Sequence, residues 1–421
     1  MRSSNDSGAS DLEVWLDSDL GALQQVGMLA HDRGRIRFHY TGSWLDDAHA
    51  FCLSPDLPLS EQLFFAPSEP GNFAVFRDIC PDRWGLTLME QWEWLQARDE
   101  RRGPRELRAW DFMCGVQDLT RQGALRLRPA GAAQFIDAGA VPAPPAAELH
   151  NLAAAAQEID LHQLLKTEAS RRALTTLFIP GASLGGARPK VSFLDVDNGS
   201  LWIAKLSMLS DKRDVGAWEF LVHHLARRAG IEVPEAKLLS LGSGFGTFCI
   251  KRFDRSGGTR RLYASAMTLL GKKRGDNASY LEIAQFLKSQ SIQHIGEDLA
   301  QLFRRVVFNV AVGNRDDHLR NHGFLRERNA WRLAPAFDVN PDVDKATHVL
   351  NLDHSDNRPN LDTVVGTAAF YGLTAATAAA VAAEVLDVVR GWKDEAAMLG
   401  IGRPEVRTTA PAFSALDGRV S

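Results

Sequence analysis

The sequence lacks the features that mark secreted, disulfide-bonded or membrane proteins. Its 421 residues include only four cysteines, and none stands in CxxC spacing, so neither a zinc site nor a disulfide framework is indicated. No apolar run approaches the roughly 18 residues that span a bilayer. The polar residues 1–8 lack the apolar core of a signal peptide. We therefore expect a cytoplasmic protein with no membrane partner.

A strong net charge is also absent. The chain has 48 Lys and Arg against 52 Asp and Glu, which gives a formal net charge of −4. This balance argues against bulk nucleic acid as the main partner. A composition of 45% hydrophobic and 24% charged residues is typical of a soluble globular protein, and the length predicts two or three packed units.

The predicted elements follow an order that is mixed at first and helical later. Alternating patterns predict strands near Leu12, Arg35, Ala124, Val191, Leu201 and Thr247. We divide the chain into a mixed α/β segment (1–127), an Ala- and Pro-rich linker (128–148), a strand-containing segment (149–255) and a helical segment (256–421). A β-rich small unit before a helical large unit is how kinases build a nucleotide cleft, although fold class alone does not establish function.

Three local predictions are specific. Apolar spacing over residues 215–230 predicts a helix that ends at Gly230. Thr374 is predicted to cap a long Ala-rich helix through Val389. Residues 322–333 are predicted to form a β-hairpin, which returns the chain to its starting point.

The most informative stretch contains Asp316 and Asn321, and Asp338 follows seventeen residues after Asn321. Kinase-like sites have this spacing, in which the first Asp accepts the proton of the attacking hydroxyl and the other two residues hold Mg²⁺ against the nucleotide phosphates. The predicted hairpin brings Asp338 beside Asn321. Asp317 is a neighbouring competitor for the role of base, but it is one residue out of register with Asn321, so we favour Asp316.

A glycine-rich stretch precedes this triplet and is a candidate phosphate loop. Residues 181–190 (GASLGGARPK) let backbone amides approach an anion and add two cations, yet they match neither GxxxxGK[ST] nor GxGxxG. A plain hairpin turn is the alternative. Lys205 ends an apolar strand, where it is either an edge-strand charge or a phosphate ligand. Glu219, on the predicted helix, lies where a glutamate pairs with a strand lysine in kinases, but an ordinary exposed helix glutamate has the same pattern.

The sequence gives weaker evidence for the roles of several other residues. A second glycine cluster, residues 242–246, is predicted to be a hairpin turn. Lys251 and Phe253 lie in a segment placed like a kinase hinge, which presents backbone groups to adenine, but an ordinary strand with solvated charges has the same pattern. His318 is a base, a ligand or, as we favour, a brace for backbone carbonyls.

With these motifs in this order, the chain resembles the HipA family of bacterial toxin–antitoxin serine/threonine kinases over nearly its whole length. The stretches that carry the resemblance are 72–85 (NFAVFRDICPDRWG), 183–190, 252–255 (RFDR), 314–321 (NRDDHLRN), 333–339 (LAPAFDV), 370–373 (FYGL) and 400–401 (GI). The resemblance implies a two-lobed protein-kinase-like fold with an extra N-terminal α/β subdomain and a mostly helical C-terminal lobe.

The resemblance also implies roles for particular residues. Asp316 would be the catalytic base, and Asn321 and Asp338 would bind Mg²⁺. The residues implied to contact ATP are Ser183, Leu184, Gly185, Gly186, Ala187, Lys190, Lys205, Glu219, Lys251, Phe253 and His318. Ser183 would also be an autophosphorylation site, where extra negative charge repels ATP phosphates. Lys251 stands where an acidic residue also occurs in the family.

The implied partners are a protein substrate, for which aminoacyl-tRNA synthetases are the known targets of the family, and a small helix-turn-helix antitoxin like HipB. DNA would be contacted only through that antitoxin. Two alternatives remain open: a nucleotide-binding co-repressor that works with the antitoxin, and a small-molecule kinase on the same scaffold.

Overall fold

The computed structural model describes residues 10–32, 34–69, 71–137, 143–158, 168–181, 183, 186, 188–242, 244–290 and 294–417. Within them the strands are β1 (Ser10–Leu16), β2 (Gln24–Asp32), β3 (Arg35–Tyr40), β4 (Phe64–Phe65), β5 (Leu125–Pro129), β6 (Lys190–Leu194), β7 (Leu201–Lys205), β8 (Ala236–Ser240), β9 (Gly246–Lys251), β10 (Arg255–Ser256), β11 (Thr259–Arg260), β12 (Tyr263–Ser265), β13 (Gly323–Arg326) and β14 (Trp331–Leu333).

The α-helices of the same residues are α1 (Gly42–Leu45), α2 (Ala74–Asp78), α3 (Arg83–Asp99), α4 (Ala109–Cys114), α5 (Leu149–Glu158), α6 (Glu168–Gly181), α7 (Val215–Arg228), α8 (Ala266–Leu269), α9 (Tyr280–Gln290), α10 (Ile295–Ala311), α11 (Leu361–Gly366), α12 (Ala375–Arg390), α13 (Trp392–Met398) and α14 (Arg403–Thr409). Short 3-10 helices cover Ala146–Glu148, Ala368–Tyr371 and Ala410–Asp417. The fold class is therefore mixed α/β. Across these residues no helix is both long enough and apolar enough to cross a membrane.

Contacts divide the chain into two compact units. Unit 1 comprises Met1–Leu201 and Asp254–Tyr263, and unit 2 comprises Trp202–Phe253 and Ala264–Ser421. The boundaries predicted at residues 127, 148 and 255 stay a prediction.

Unit 1 is built on an antiparallel sheet with the strand order β4-β3-β2-β1-β5. In β3 the side chains of Ile36, Phe38 and Tyr40 are buried while their neighbours are more exposed, which is the alternation that predicted this strand. Later in the chain, the hairpin of β10 and β11 is tied to the loop that precedes β5. Asp254 accepts a hydrogen bond from the Gly123 amide at 2.7 Å, and Arg255 donates to the Arg121 carbonyl at 2.7 Å.

Unit 2 begins with the antiparallel strands β7, β9 and β8, and Lys205 at the end of β7 pairs with Phe248 of β9. Ser240 pairs with Gly246, so the second glycine cluster is a hairpin turn, as predicted. Helix α7 follows the predicted range, with Asp214 as its N-cap and Gly230 just beyond its end at φ 75°.

The helical part of unit 2 is organised around α10. Its apolar side chains Leu299, Leu302, Phe303, Val306 and Val310 are all buried, as expected for a core-facing stripe. Thr374 caps α12, where its hydroxyl accepts from the Thr377 amide at 3.1 Å, and the hairpin of β13 and β14 forms as predicted. This hairpin follows the loop that carries the candidate catalytic residues.

Candidate active site

The loop that carries Asp316 begins directly after α10. Gly313, at φ 64°, lies so close to Ala412 that a Cβ would meet its carbonyl oxygen at 2.2 Å, so only glycine fits there. The loop is then held by Asn314, whose side chain donates to the Asn309 side chain of α10 at 3.1 Å. The end of α10 and this turn therefore fix the position of the next residues.

Asp316 points to solvent and forms an ion pair with Lys345. Its side chain is 63% exposed, against 4% for Asp317, so it is the accessible carboxylate of the two. The ammonium of Lys345 contacts Asp316 Oδ1. An exposed carboxylate next to a cation suits a group that must meet a substrate hydroxyl.

Lys345 is held in place through its backbone. Arg315, which is buried, donates to the Lys345 carbonyl at 2.7 Å and to the Asp342 carbonyl at 3.3 Å. The Lys345 amide donates to Asp342 Oδ1 at 3.0 Å. The segment 342–345 is thus attached to the loop residue that directly precedes Asp316. No local sequence pattern predicted this pairing, because Lys345 lies in an irregular segment far along the chain.

Asp317 has the opposite environment. It is buried and accepts hydrogen bonds from the Tyr280 hydroxyl at 2.6 Å and the Asn309 amide at 2.8 Å, and it also pairs with His322 Nε2 at 2.7 Å. Burial alone would raise the pKa of Asp317, but His322 and Tyr280 hold it below its usual range. Asp317 is therefore a structural carboxylate, inaccessible to a substrate hydroxyl.

Lys205, Glu219 and Asp338 form one charged cluster. The ammonium of Lys205 contacts Glu219 Oε1 and lies 2.6 Å from Asp338 Oδ1. Burial disfavours the charged ammonium, but the carboxylates of Asp338 and Glu219 raise the pKa of Lys205 above its usual range. The structure thus contains the Lys205–Glu219 pair that the sequence positions suggested. Asp338, the predicted metal ligand, contacts the same ammonium.

Asp338 has a left-handed backbone with φ 58°, which is uncommon for a residue other than glycine. Such conformations cost about 1–3 kcal/mol and concentrate at functional sites. The residues on either side, Phe337 and Val339, line the same small cavity as Asn321. The hairpin therefore returns the chain toward Asn321, as the sequence predicted.

The donor set fits a magnesium ion that is completed by a nucleotide. Mg²⁺ prefers oxygen ligands and usually takes one or two carboxylates together with phosphates and water. Asp338 and Asn321 supply one carboxylate and one amide. Among the residues described above, no group of three or more His, Cys, Asp or Glu side chains could hold a metal by itself. A metal at this place would complete its shell with oxygen atoms from water or a bound phosphate.

The candidate phosphate loop lies in unit 1 and is held by the start of α3. The Trp84 amide donates to the Gly186 carbonyl at 2.8 Å, and Trp84 Nε1 donates to the Lys190 carbonyl at 2.9 Å. Gly186 has φ 81°, and a Cβ there would meet Lys190 Nζ at 2.3 Å. Ser183 is buried, and its hydroxyl has no hydrogen-bond partner within the described part of the chain.

Three predicted loop residues, Leu184, Gly185 and Ala187, lie outside the described residues. The contacts of Trp84 give a structural reason for the 72–85 motif, because its last residues hold the loop in place.

The predicted hinge residues lie at the end of β9 and just beyond it. The Lys251 amide donates to the Glu235 carbonyl at 2.9 Å, and its ammonium lies 3.4 Å from Glu235 Oε2. Phe253 is half-buried, with its ring centroid 5.5 Å from that of Phe337. Phe253 is thus close in space to the segment that carries Asp338.

His318 differs from the expectation that it braces backbone carbonyls. Its Nδ1 atom is buried and has no hydrogen-bond partner among the described residues, while its own carbonyl accepts from the Asn321 amide at 2.8 Å. The bracing contacts of this loop come instead from Tyr280, Asn309 and His322, through Asp317. These contacts were missed because Tyr280 and Asn309 come from two separate helices, α9 and α10, and meet His322 of the loop only in the folded chain.

Three curated relatives bear names of kinases. "Putative kinase" of Haemophilus influenzae is 27% identical over 38% of this chain and 52% of its own length, and "Putative kinase Y4dM" of Sinorhizobium fredii is 30% identical over 34% and 37%. "Putative kinase Y4mE" of the same organism is 24% identical over 78% and 76%. The chain thus spans about half or less of the length of the first two relatives.

Two family models match the chain. The model of the HipA-like C-terminal domain matches residues 182–392, and that of the HipA N-terminal domain matches residues 12–125. The protein belongs to the HipA family.

A solved structure with a similar fold comes from the Shewanella oneidensis MR-1 toxin–antitoxin complex of HipA, HipB and operator DNA. The TM-score is 0.64 over 96% of this chain and 95% of that chain, at 16% identity. At this identity the likeness shows the fold alone.

Proposed function

We propose that this protein is an ATP- and Mg²⁺-dependent serine/threonine protein kinase with a two-lobed kinase fold, acting as the toxin of a toxin–antitoxin pair. The observation that carries the proposal is the cluster of Lys205, Glu219 and Asp338 in the same unit as the exposed Asp316. Phosphoryl transfer depends mainly on positioning and on charge neutralisation, and this cluster supplies both.

Each residue has a distinct task in the proposed reaction. Lys205, oriented by Glu219, holds phosphate oxygens of ATP. Asp316 accepts the proton of the substrate hydroxyl as that oxygen bonds to the γ-phosphorus and ADP leaves. Asp338 and Asn321 would hold Mg²⁺, which would neutralise charge on the phosphates. Lys251 and Phe253 would flank adenine.

Ser183 is the proposed autophosphorylation site. Its hydroxyl is buried and unpaired within the described residues, so the loop must open before the hydroxyl can reach a phosphate donor. A phosphoserine carries about −1.5 to −2 charges and does not fit back into a buried position. Autophosphorylation would therefore hold the loop open and disable ATP binding.

The proposed partners follow from the family and the structural neighbour. That neighbour comes from a complex with HipB and operator DNA, so we propose a HipB-like helix-turn-helix antitoxin as partner, with DNA contacted through it. The proposed compartment is the cytoplasm, where such DNA lies. An aminoacyl-tRNA synthetase or another translation protein is the proposed substrate.

The test combines the purified protein, labelled ATP and a bacterial lysate. We expect label on protein bands, including the kinase itself, and mass spectrometry should place the latter on Ser183. Ser183→Ala should remove the self-label, whereas Ser170→Ala should retain it. Label found only in small molecules would contradict a protein kinase, and self-label at another residue would contradict the role of Ser183.

A further inference from the structure

The side chain of Arg305 is buried and carries a positive charge. It lies on α10, is 4% exposed, and its Nε and Nη2 atoms have no partner among the residues that the structure describes. A buried charged group without hydrogen bonds is strongly unfavourable, so native proteins rarely leave one unsatisfied. Burial also lowers the pKa of Arg305 to about 10, which still leaves it charged at neutral pH.

Arg305 lines a small cavity next to the loop that carries Asp316 and Asp317. The polar residues of its wall are Arg305, Asn309, Asp317, Asn321 and His322. The cavity has space for about one water molecule. Asn309 is one helical turn beyond Arg305 on the same face of α10, and its amide is already bonded to Asp317 at 2.8 Å.

The charges of the residues that line the cavity determine which species can bind in it. A metal cation would be repelled by Arg305, and an anion would be repelled by the carboxylate of Asp317. A water molecule meets neither obstacle, because it accepts from the guanidinium and donates to a carboxylate or amide oxygen. Buried waters typically make about three such hydrogen bonds.

We propose that a buried water binds in this cavity and links Arg305 to Asp317 and Asn321, which makes Arg305 a positioning residue for Asn321. This inference rests on the proposed function, in which Asn321 binds Mg²⁺. Hydrogen-bonding partners behind a metal ligand fix its orientation, and their loss typically lowers metal affinity about 10–100-fold. Arg305 acts only through the water and Asn321.

The test separates positioning from structural support. Arg305→Met removes the buried charge while it keeps an apolar stem, so the unfolding temperature should be unchanged or higher. The affinity for Mn²⁺, measured by electron paramagnetic resonance with a non-hydrolysable ATP analogue, should fall about 10-fold. Arg304→Met, next on the same helix, is the matched control and should leave Mn²⁺ affinity unchanged.

Two results would overturn the inference. Wild-type Mn²⁺ affinity in Arg305→Met removes the positioning role, and so does a loss that merely follows a lower unfolding temperature. A crystal structure with visible waters should place one at about 2.7–3.2 Å from Nε or Nη2 of Arg305. A dry cavity, or a bromide ion found there after soaking, would contradict the water.

Failure of the proposed function gives a different pattern. If Asn321→Ala binds Mn²⁺ as tightly as the wild type does, Asn321 is no metal ligand, whatever occupies the cavity.

Discussion

The two faces of the catalytic loop differ sharply, and the adjacent residues Asp316 and Asp317 lie on different ones. Asp316 is 63% exposed and contacts only the ammonium of Lys345 among the side chains of the described residues, whereas Asp317 is 4% exposed and has three polar partners, Tyr280, Asn309 and His322. Two adjacent residues of the same type, Asp316 and Asp317, thus serve two different purposes. On the outer face a carboxylate is available for chemistry, and on the inner face a carboxylate holds the loop.

A kinase site built on this loop would need both an accessible carboxylate and a rigid support. A carboxylate that must accept a proton has to be reachable, so its own contacts cannot hold the loop in place. The buried contacts of Asp317, together with those of Arg315 to the Lys345 and Asp342 carbonyls, supply that restraint. We therefore expect substitutions on the outer face to reduce activity and substitutions on the inner face to reduce stability.

The largest expected effect comes from Asp316→Asn. The amide keeps the shape but cannot accept a proton, so the phosphotransfer rate should fall by about 10²–10⁴-fold. The free energy of unfolding should stay within about 0.5 kcal/mol, because the side chain is exposed. Initial rates with labelled ATP and urea denaturation measure the two quantities. Asp387→Asn, on the exposed face of α12, is the control and should change neither.

Asp317→Ala should have the second largest effect, on stability. It leaves the Tyr280 hydroxyl, the Asn309 amide and His322 without their shared acceptor in a buried place, which should lower the free energy of unfolding by about 3 kcal/mol. Asp316→Ala is the matched control and should cost less than about 0.5 kcal/mol. Equal losses in the two variants would remove the distinction between the faces.

Low pH should weaken the stabilising contribution of Asp317, with a smaller effect than the substitution Asp317→Ala. The folded pKa of Asp317 lies below its value in the unfolded chain, which is about 3.9. Its contribution is therefore present above about pH 4 and is lost as the pH falls through the folded pKa. Urea denaturation should find the wild-type advantage over Asp317→Asn shrinking from pH 7 toward pH 3. A constant advantage would contradict an ionised Asp317 in the folded protein.

The smallest expected effect belongs to Lys345→Met. Removal of the cation beside Asp316 should lower kcat/KM about 10-fold, because the proposed base loses the group that orients it. Stability should hardly change, because exposed ion pairs contribute about 0–1 kcal/mol. Lys288→Met, on the surface of α9, is the control. An unaltered kcat/KM would make the Lys345 contact incidental.

Sequence rules predicted the parts of the structure that depend on neighbours in the chain. Gly230 ends α7, Thr374 caps α12, and the hairpin after the catalytic loop forms because turn residues separate two apolar runs. The preference for Asp316 over Asp317 agrees with their exposures, although the role of either residue remains a prediction.

Contacts between distant segments could not be predicted from the sequence. Lys345 is 29 positions from Asp316 in an irregular segment, so neither periodicity nor a turn rule relates them. Arg305 has the residue type of a solvent-facing helix position, yet the packing of unit 2 buries it. The fold of a segment is encoded locally, but these pairings depend on how the segments pack.

The most direct measurement is γ-phosphoryl transfer from labelled ATP by the wild type and by Asp338→Ala, with equal folding verified by circular dichroism. Asp338 contacts Lys205 and is the proposed metal ligand, so it joins the two requirements of the site. We predict phosphorylated protein with the wild type and none above background with Asp338→Ala. Equal labelling by the two proteins would contradict phosphoryl transfer at this cluster.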